Sequence, residues 1–374
     1  MAHAYTPGLR VTERALIRKR RHLPLPGDIH VQVGDSVTAD QLVASTALPG
    51  NVTNLNVAHE LACAPEDIPD YLTVSVGDAV QTGDVIAETK AFWGLFHSVA
   101  TTPVSGTVEA ASELTGQVLI RGEPIRVELD AYLDGTVIEV EGDEAVTVEA
   151  RGALLQGILG VGGEAHGQLK LLVASPDAPL APDLIDEQCA GCVLVGGSLV
   201  GLDALRAAAE VSAAGIVVGG IDGGDLDEFL GKPLGVAITG QEDLGTSLVL
   251  TEGFGEMQMA AQSFELLAAR DGQRASINGA TQIRAGVIRP EVIVPEPGAT
   301  WEAEEAEAGA GLEVGSEVRL IREPYFGRLA SVTGLPEQLQ EIETQARVRV
   351  LLARLADTDE EITVPRANVE VIQR

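Results

Sequence analysis

A short motif, V-x-V-G-D-x-V, occurs twice near the start of the chain, at residues 31–37 and 74–80. In both copies apolar residues alternate on each side of a Gly-Asp pair. Alternation with a period of two is typical of strands, and glycine readily adopts the positive φ of a tight turn. We therefore predict hairpins at Gly34 and Gly77. Two further glycine turns, at 105–109 and 134–140, extend the predicted β-structure to about residue 175.

The pattern changes after about residue 181, where apolar runs alternate with helical segments. Continuous apolar runs predict strands near 193–195, 215–218, 234–238 and 247–250, and helices are predicted near 199–213 and 256–269. Strands that alternate with helices, each strand apolar on both faces, are typical of a parallel sheet. The sequence therefore predicts a central parallel α/β sheet over residues 176–297.

The last quarter of the chain begins with a segment rich in Ala, Glu and Gly. Residues 298–312 have no apolar period, which favours a solvated acidic linker. Short alternating runs follow over residues 313–374 and predict strands. The expected fold class is thus a multi-domain α/β plus β chain: a β-rich region at 1–175, the α/β domain at 176–297, the linker, and a C-terminal β domain.

Charge restricts the classes of partner. The formal net charge is -31 and the isoelectric point is about 4.4, so the surface should repel phosphate backbones, and nucleic acid is not expected as a partner. No apolar run approaches the roughly 20 residues of a membrane span. Three cysteines give no disulfide framework, which favours a reducing compartment. We expect a cytoplasmic protein without a membrane span.

One basic segment interrupts this acidic chain. Arg18, Lys19, Arg20 and Arg21 are consecutive and precede two prolines. The favoured interpretation is a strand at a sheet edge whose cations form salt bridges with the acidic body of the protein. A docking arm for a partner is the alternative.

The second copy of the motif resembles a known β-module. The matching positions are Val76, Gly77, Asp78, Val80, Gly83, Asp84, Val85 and Ile86, followed by Pro103, Gly106 and Val108. They resemble the biotinyl/lipoyl-type barrel-sandwich module, in the unmodified form found in one component of membrane electron-transport complexes. That resemblance implies a structural β barrel-sandwich and no cofactor. Carrier members of the family acylate a lysine on an exposed turn, so Lys90 is the alternative attachment site, although the apolar residues after it favour a buried loop.

The C-terminal region resembles a second module. Gly315, Val318, Pro324, Phe326, Gly327 and Gly334 are similar to the pattern of KOW/NusG-type SH3-like barrels, although Glu323 and Ala330 stand where that pattern has glycine. The resemblance implies an SH3-like barrel that binds RNA or protein through aromatic and basic side chains. The candidate partner-binding residues are Arg319, Arg322, Tyr325, Phe326 and Arg328. Acidic neighbours favour a protein partner over RNA.

The central domain offers a candidate site for a small anionic ligand. Loops at the carboxyl ends of parallel strands converge on one edge, where helix N-termini present free N–H groups. The candidate residues are Gly196, Gly197, Ser198, Gly219, Gly220, Asp222, Glu252, Gly253 and Gly255, with Asn278 and Arg284. The alternative is that the glycines only permit tight turns and that Ser198 and Asp222 cap helices. No Walker loop or complete G-x-G-x-x-G is present, so no nucleotide class follows.

Two further groups have weaker chemical signals. Glu242, Asp243, Glu252 and Glu256 could hold Mg²⁺ or act as acid and base, but carboxylates in such positions more often stabilise helix N-termini. Cys189 and Cys192 form a C-x-x-C that precedes a predicted strand, whereas a thioredoxin-like pair follows one. A zinc site would need two more ligands. We therefore predict no metal and assign no catalytic residue.

Two functions remain open from the sequence. The favoured one is a non-catalytic binding or scaffold protein, with a protein partner and a site for a small anion on the α/β domain. The alternative is an enzyme or ligand sensor that uses the glycine-rich strand-end loops. Homo-oligomerisation is compatible with both.

Overall fold

The computed structural model describes residues 9–91, 96–232, 244–281, 289–301, 314–320, 325, 328–336, 340–341, 347–356, 358 and 360–371. The predicted strand at 234–238 and nearly all of the predicted linker lie outside these residues. The described part is rich in strands, with one large mixed sheet and several small sheets.

The described residues of the first half of the chain form fifteen strands and two short α-helices. The helices were not predicted. In chain order the elements are β1 (Val11–His22), β2 (Asp28–Ile29), β3 (Ser36–Val37), β4 (Leu42–Leu48), β5 (Val52–Asn56), α1 (Val57–Leu61), α2 (Ile68–Tyr71), β6 (Ala79–Val80), β7 (Val85–Ala91), β8 (Phe96–Thr101), β9 (Gly106–Ser112), β10 (Gln117–Arg121), β11 (Ile125–Asp130), β12 (Gly135–Glu141), β13 (Ala145–Gln156), β14 (Leu159–Val161) and β15 (Glu164–Leu171).

The second half combines strands with three longer helices. Its elements are β16 (Val193–Val195), β17 (Leu199–Val200), α3 (Leu202–Glu210), β18 (Gly215–Ile221), α4 (Gly223–Leu230), β19 (Ser247–Phe254), α5 (Ala261–Ala268), β20 (Arg274–Asn278), β21 (Glu291–Pro295), β22 (Glu317–Leu320), β23 (Leu329–Gly334), β24 (Gln340–Glu341), β25 (Arg347–Val348), β26 (Val350–Leu355), β27 (Glu361–Pro365) and β28 (Val369–Val371). The predicted strands β16, β18 and β19 and the predicted helices α3 and α5 are confirmed.

The large sheet has twelve strands and mixed direction. Its order is β14-β19-β18-β16-β15-β20-β21-β13-β12-β3, with β1 added on β13 and β17 on β18. The pairs β16–β18 and β18–β19 are parallel, as predicted, and the parallel pair β15–β16 was not predicted. The strands β20, β21, β13 and β14 pair antiparallel. One continuous sheet therefore contains strands from both sides of the predicted boundary at 175/176.

The parallel strands are buried on both faces. Val193, Val217 and Val249 pack into a core with α5, whereas their neighbours in sequence pack into a second core with α3 and α4. Successive side chains of a strand point to opposite faces, so a strand between two cores needs a continuous apolar run. This is why the sequence pattern located these strands correctly.

The two Gly-Asp motifs have the same structure, but they are not hairpins. The Gly34 N–H donates to Val137 and the Gly77 N–H donates to Val108, each at 2.8 Å. The strands that follow, β3 and β6, pair with β12 and β9 and not with the strands that precede the turns. The hairpin prediction was wrong because sequence alternation does not tell which strand a turn lies against.

These pairings reveal a nested duplication. The first copy consists of residues 31–48 together with 125–141, and the second copy, 74–112, lies within the segment that separates its two halves. Ala39 N–H donates to the Asp134 carboxylate at 2.7 Å, and the equivalent Thr82 N–H donates to Ser105 at 3.0 Å. The same arrangement of turns and strand pairs therefore occurs twice, and in the first copy the paired strands are distant in sequence.

The basic segment at 18–21 lies in β1, which pairs with β13. Its cations contact four carboxylates: Arg18 with Glu149, Lys19 with Glu291, Arg20 with Glu141, and Arg21 with Glu164. The interpretation as a strand bound to the acidic body by salt bridges is confirmed.

The C-terminal strands form a five-stranded antiparallel sheet in the order β27-β26-β23-β22-β28, over a core that includes Val318, Leu351 and Ala353. Strand pairing among the described residues leaves each sheet of the molecule open instead of closing it into a ring. Within the same residues, no helix has the length and apolar composition that crossing a bilayer would require.

Candidate functional site

The three described glycine-rich segments lie together at the carboxyl ends of the parallel strands, as predicted. Two of them are not loops, because 219–221 belongs to β18 and 252–254 belongs to β19. Their N–H groups are already used inside the protein. Gly196 donates to Val217 at 2.9 Å, Gly219 donates to Gly197 at 2.7 Å, and Gly255 donates to Ile221 at 2.8 Å. An anion at this edge would have to replace these backbone bonds, since each is buried or partly buried and a lost partner costs free energy.

Close backbone packing explains the glycines. A Cβ on Gly197 would lie 2.3 Å from the Ala178 carbonyl oxygen. On Gly219 it would lie 2.0 Å from the Met257 carbonyl oxygen, and on Gly220 2.1 Å from that of Gly255. The segments around 178 and 255–257 therefore fill the edge where the ligand was predicted.

Ser198 and Asp222 have different roles. Asp222 precedes α4 and accepts from the Gly224 N–H at 2.8 Å, so it is an N-cap. Ser198 is buried and does not cap a helix: its hydroxyl donates to the Asp177 carbonyl at 2.7 Å, and α3 begins after Gly201 without a side-chain cap. Its hydroxyl stabilises the loop before β16.

Glu252 and Arg319 were predicted for two separate surfaces, and the structure pairs them. The Arg319 guanidinium lies 2.9 Å from the Glu252 carboxylate, with side chains that are 12% and 7% exposed. The second carboxylate oxygen of Glu252 accepts from the Ala260 N–H at 2.9 Å, immediately before α5. Arg319 also donates to the Thr251 carbonyl at 3.4 Å. The C-terminal sheet thus closes over the end of β19.

Two other predicted ligand residues are not at this edge. Asn278 ends β20 opposite Glu164, the first residue of β15, so it lies at the opposite end of the parallel strands. Its side-chain oxygen accepts from the Ala280 N–H at 2.8 Å. Arg284 lies outside the described residues. Gly253 has a φ of 139°, a value that residues other than glycine rarely adopt, so the backbone conformation accounts for a glycine at this position.

The predicted partner face is described in part. The Arg328 guanidinium lies over the Tyr325 ring, 5.8 Å from its centroid, and donates to the Thr358 hydroxyl at 3.0 Å. Arg322 and Phe326 lie outside the described residues. With Arg319 buried against Glu252, Tyr325 and Arg328 are the described members left to form such a face.

The described residues form cavities that were not predicted, and two of them lie at opposite ends of the parallel strands. One of about 230 Å³ lies beside the Arg319–Glu252 pair, between β1, the start of α5 and the C-terminal sheet. The other, of about 420 Å³, lies at the opposite end of the parallel strands. Thr246 lines it, and its buried hydroxyl has no hydrogen-bond partner among the described residues. No sequence motif marks either cavity, because residues distant in sequence line both.

Among the other candidate residues, Glu256 is exposed at the end of the loop after β19, while Glu242 and Asp243 lie outside the described residues. Lys90 lies in β7 and pairs with His97 of β8. In the described part of the chain no three His, Cys, Asp or Glu side chains are grouped to hold a metal ion. The three cysteines are free thiols, and Cys189 and Cys192 are buried.

No protein-family model matches this chain, and no curated protein matches it significantly.

Proposed function

We propose that this chain is a non-catalytic binding or scaffold protein with a protein partner. In this proposal residues 1–175 contain a barrel-sandwich module, residues 176–297 an α/β domain, and residues 313–374 an SH3-like barrel after an acidic linker. The repeated Gly-Asp turns and the five-stranded C-terminal sheet support this assignment. Three free thiols support a cytoplasmic location.

The Arg319–Glu252 ion pair is the observation that most supports this proposal. It closes the edge at the carboxyl ends of the parallel strands, where a substrate would otherwise bind. The pair neutralises the buried carboxylate of that edge, and the glycine loops beside it are occupied by backbone. A catalytic site needs a concave pocket with free polar groups. At this edge the described glycines are packed against backbone and the Glu252 carboxylate is paired, which favours a scaffold over an enzyme.

The partner surface that this proposal favours is the face around Tyr325 and Arg328. A stacked Arg and Tyr combine apolar area with a positive charge, and both residue types are enriched at protein interfaces. The rest of the chain is strongly acidic, so this face is a local exception that a partner can recognise.

A ligand screen separates the scaffold from an enzyme or ligand sensor. The protein is heated with nucleotides, sugar phosphates or Mg²⁺, and its Tm is measured. A ligand at a hundred times its Kd should stabilise the fold by about 2.7 kcal/mol. We expect no such increase, and a reproducible increase with one of these ligands would favour the sensor instead.

Affinity isolation from the native host tests the partner directly. Recovery of a defined protein by the wild-type chain is compared with recovery by a Tyr325→Ala/Arg328→Ala variant and by Arg126→Ala, which removes an exposed cation on β11. We expect the double variant to lose the partner and Arg126→Ala to retain it. Equal recovery by all three proteins would contradict the proposed face.

A further inference from the structure

The C-x-x-C segment forms a tight turn at the surface. Ala190 has φ −56° and ψ 126°, Gly191 has φ +67°, and the Cys192 N–H donates to the Cys189 carbonyl at 3.1 Å. These are the dihedrals of a type II turn, which places its first and fourth Cα atoms within about 7 Å. Disulfides usually join Cα atoms about 4.4 to 6.8 Å apart. The two cysteines therefore stand at a spacing that a disulfide can bridge.

The two thiols differ in access. Cys189 is 0% exposed and Cys192 is 8% exposed, while Asp186, Glu187, Gln188, Ala190 and Gly191 around them are exposed. A small reagent that reaches the turn from solvent can contact Cys192 first. The turn itself is connected to its surroundings by the Gly191 N–H, which donates to Ser212, and by the Cys192 carbonyl, which accepts from Ala214.

A cation lies beside the inner thiol. The Lys170 ammonium on β15 is 3.4 Å from the Cys189 sulfur and 3.7 Å from the Asp186 carboxylate. Burial alone would lower the pKa of Lys170, but its contact with Cys189 and the nearby negative charges raise that pKa overall, so the side chain remains an ammonium at neutral pH. The ammonium is therefore placed where it can stabilise negative charge that develops on the Cys189 sulfur during thiol exchange.

We propose that Cys189 and Cys192 are a redox-reactive dithiol that exchanges with small-molecule disulfides. Burial raises the pKa of the Cys192 thiol, so the exchange should become faster as the pH rises. The Cys192 thiol loses its proton and its sulfur attacks one sulfur of the small disulfide. That S–S bond breaks, and the small thiolate that leaves takes up the proton. The Cys189 sulfur, beside Lys170, then loses its proton and attacks the Cys192 sulfur. The mixed disulfide breaks, and the second small thiolate takes up that proton and leaves as a thiol. The protein loses two protons and two electrons, and one small disulfide becomes two thiols.

The first test uses the full chain and oxidised glutathione as the probe. The Cys63→Ser variant removes the third cysteine, which is half-buried and has no such lysine contact among the described residues. After oxidation, peptide mass spectrometry should find a Cys189–Cys192 disulfide in the wild type and in Cys63→Ser. A protein that stays fully reduced, or one that links only Cys63 to glutathione, would overturn the proposal.

Three variants test the order of the steps. Cys189→Ser should stop at one glutathione on Cys192, and Cys192→Ser should gain none, because Cys189 is inaccessible. Lys170→Met should form the disulfide about tenfold more slowly, which corresponds to roughly 1.4 kcal/mol of barrier. An unchanged rate in Lys170→Met would remove the lysine from the mechanism.

Substitution of a buried cysteine can prevent folding, so one measurement needs no variant at these positions. Phenylarsine oxide binds two neighbouring thiols at once. The Cys63→Ser protein should bind one arsenical per chain, and oxidation by glutathione should abolish this binding. Failure of the reduced folded protein to bind the arsenical would show that the two sulfurs cannot come together, and would overturn the proposal.

Discussion

The Arg319 guanidinium and the Glu252 carboxylate are 2.9 Å apart and join two parts of the chain that are 67 residues apart in sequence. Arg319 lies on β22 of the C-terminal sheet, and Glu252 lies in β19 of the large sheet. Both side chains are almost completely withdrawn from water. Both residues were predicted to bind other molecules, and in the structure they bind each other inside the protein.

Removal of the Arg319 side chain should lower the stability of the folded protein. Arg319→Ala leaves the Glu252 carboxylate buried with a single N–H donor, and we expect a loss of about 2–4 kcal/mol in the free energy of unfolding. Chemical denaturation followed by circular dichroism measures it. Arg206→Ala, which removes an exposed ion pair with Glu228, should cost less than about 1 kcal/mol. A double-mutant cycle with Glu252→Gln should give a clear coupling energy, and zero coupling would contradict the assignment.

Gly219 should not tolerate a side chain. A Cβ at this position would lie 2.0 Å from the Met257 carbonyl oxygen, so Gly219→Ala requires the backbone to move. We expect a loss of at least about 2 kcal/mol, measured by denaturation, or an insoluble protein. Gly163→Ala is the matched control, because a Cβ there meets no atom within 4 Å and it should change stability by less than about 1 kcal/mol. Equal stability of the two variants would mean that the loops do not pack as described.

The exposed Asp40–Arg274 pair should make stability depend on acid pH. The Arg274 guanidinium, 2.7 Å away, and Thr38 lower the pKa of Asp40 from 3.8 to about 2. Because the folded state prefers the carboxylate, its contribution is present above about pH 4 and is lost as the pH falls through 2. The stability difference between the wild type and Asp40→Asn should therefore vanish at the acid end of a pH series. Arg274→Gln should abolish the same difference, and a difference that is as large at pH 2 as at pH 5 would refute this cause.

Tyr132 should titrate only when the protein unfolds. Its ring is buried, and burial together with the charges of Glu291 and Glu164 raises its pKa well above 10. The folded state therefore favours the neutral phenol, a contribution that is present below the usual pKa and lost as the pH rises toward the folded-state value. In an alkaline titration, phenolate absorbance counts the tyrosines that ionise in the folded protein. The wild type should have one more tyrosine that ionises only after denaturation than the Tyr132→Phe variant has. Identical native titrations of all tyrosines would contradict the burial of this group.

Local patterns in the sequence determined the elements. The apolar runs at 193–195, 215–218 and 247–250 identified β16, β18 and β19, because a strand between two cores cannot carry polar side chains. The run of cations at 18–21 in an acidic chain predicted salt bridges, and four of them formed. The Gly-Asp motifs predicted turns with positive φ, and Gly34 and Gly77 have φ of 97° and 100°.

Only the tertiary structure decided which elements meet. The motif at Gly34 lies against Val137 and not against its own flanking strand, the large sheet continues across residue 175, and Glu252 is paired with Arg319 instead of facing a ligand. The local sequence pattern indicates which residues are buried and where the backbone turns. The identity of the neighbour depends on long-range packing, which the local sequence does not encode, and in this protein that packing turned a predicted binding edge into an internal interface.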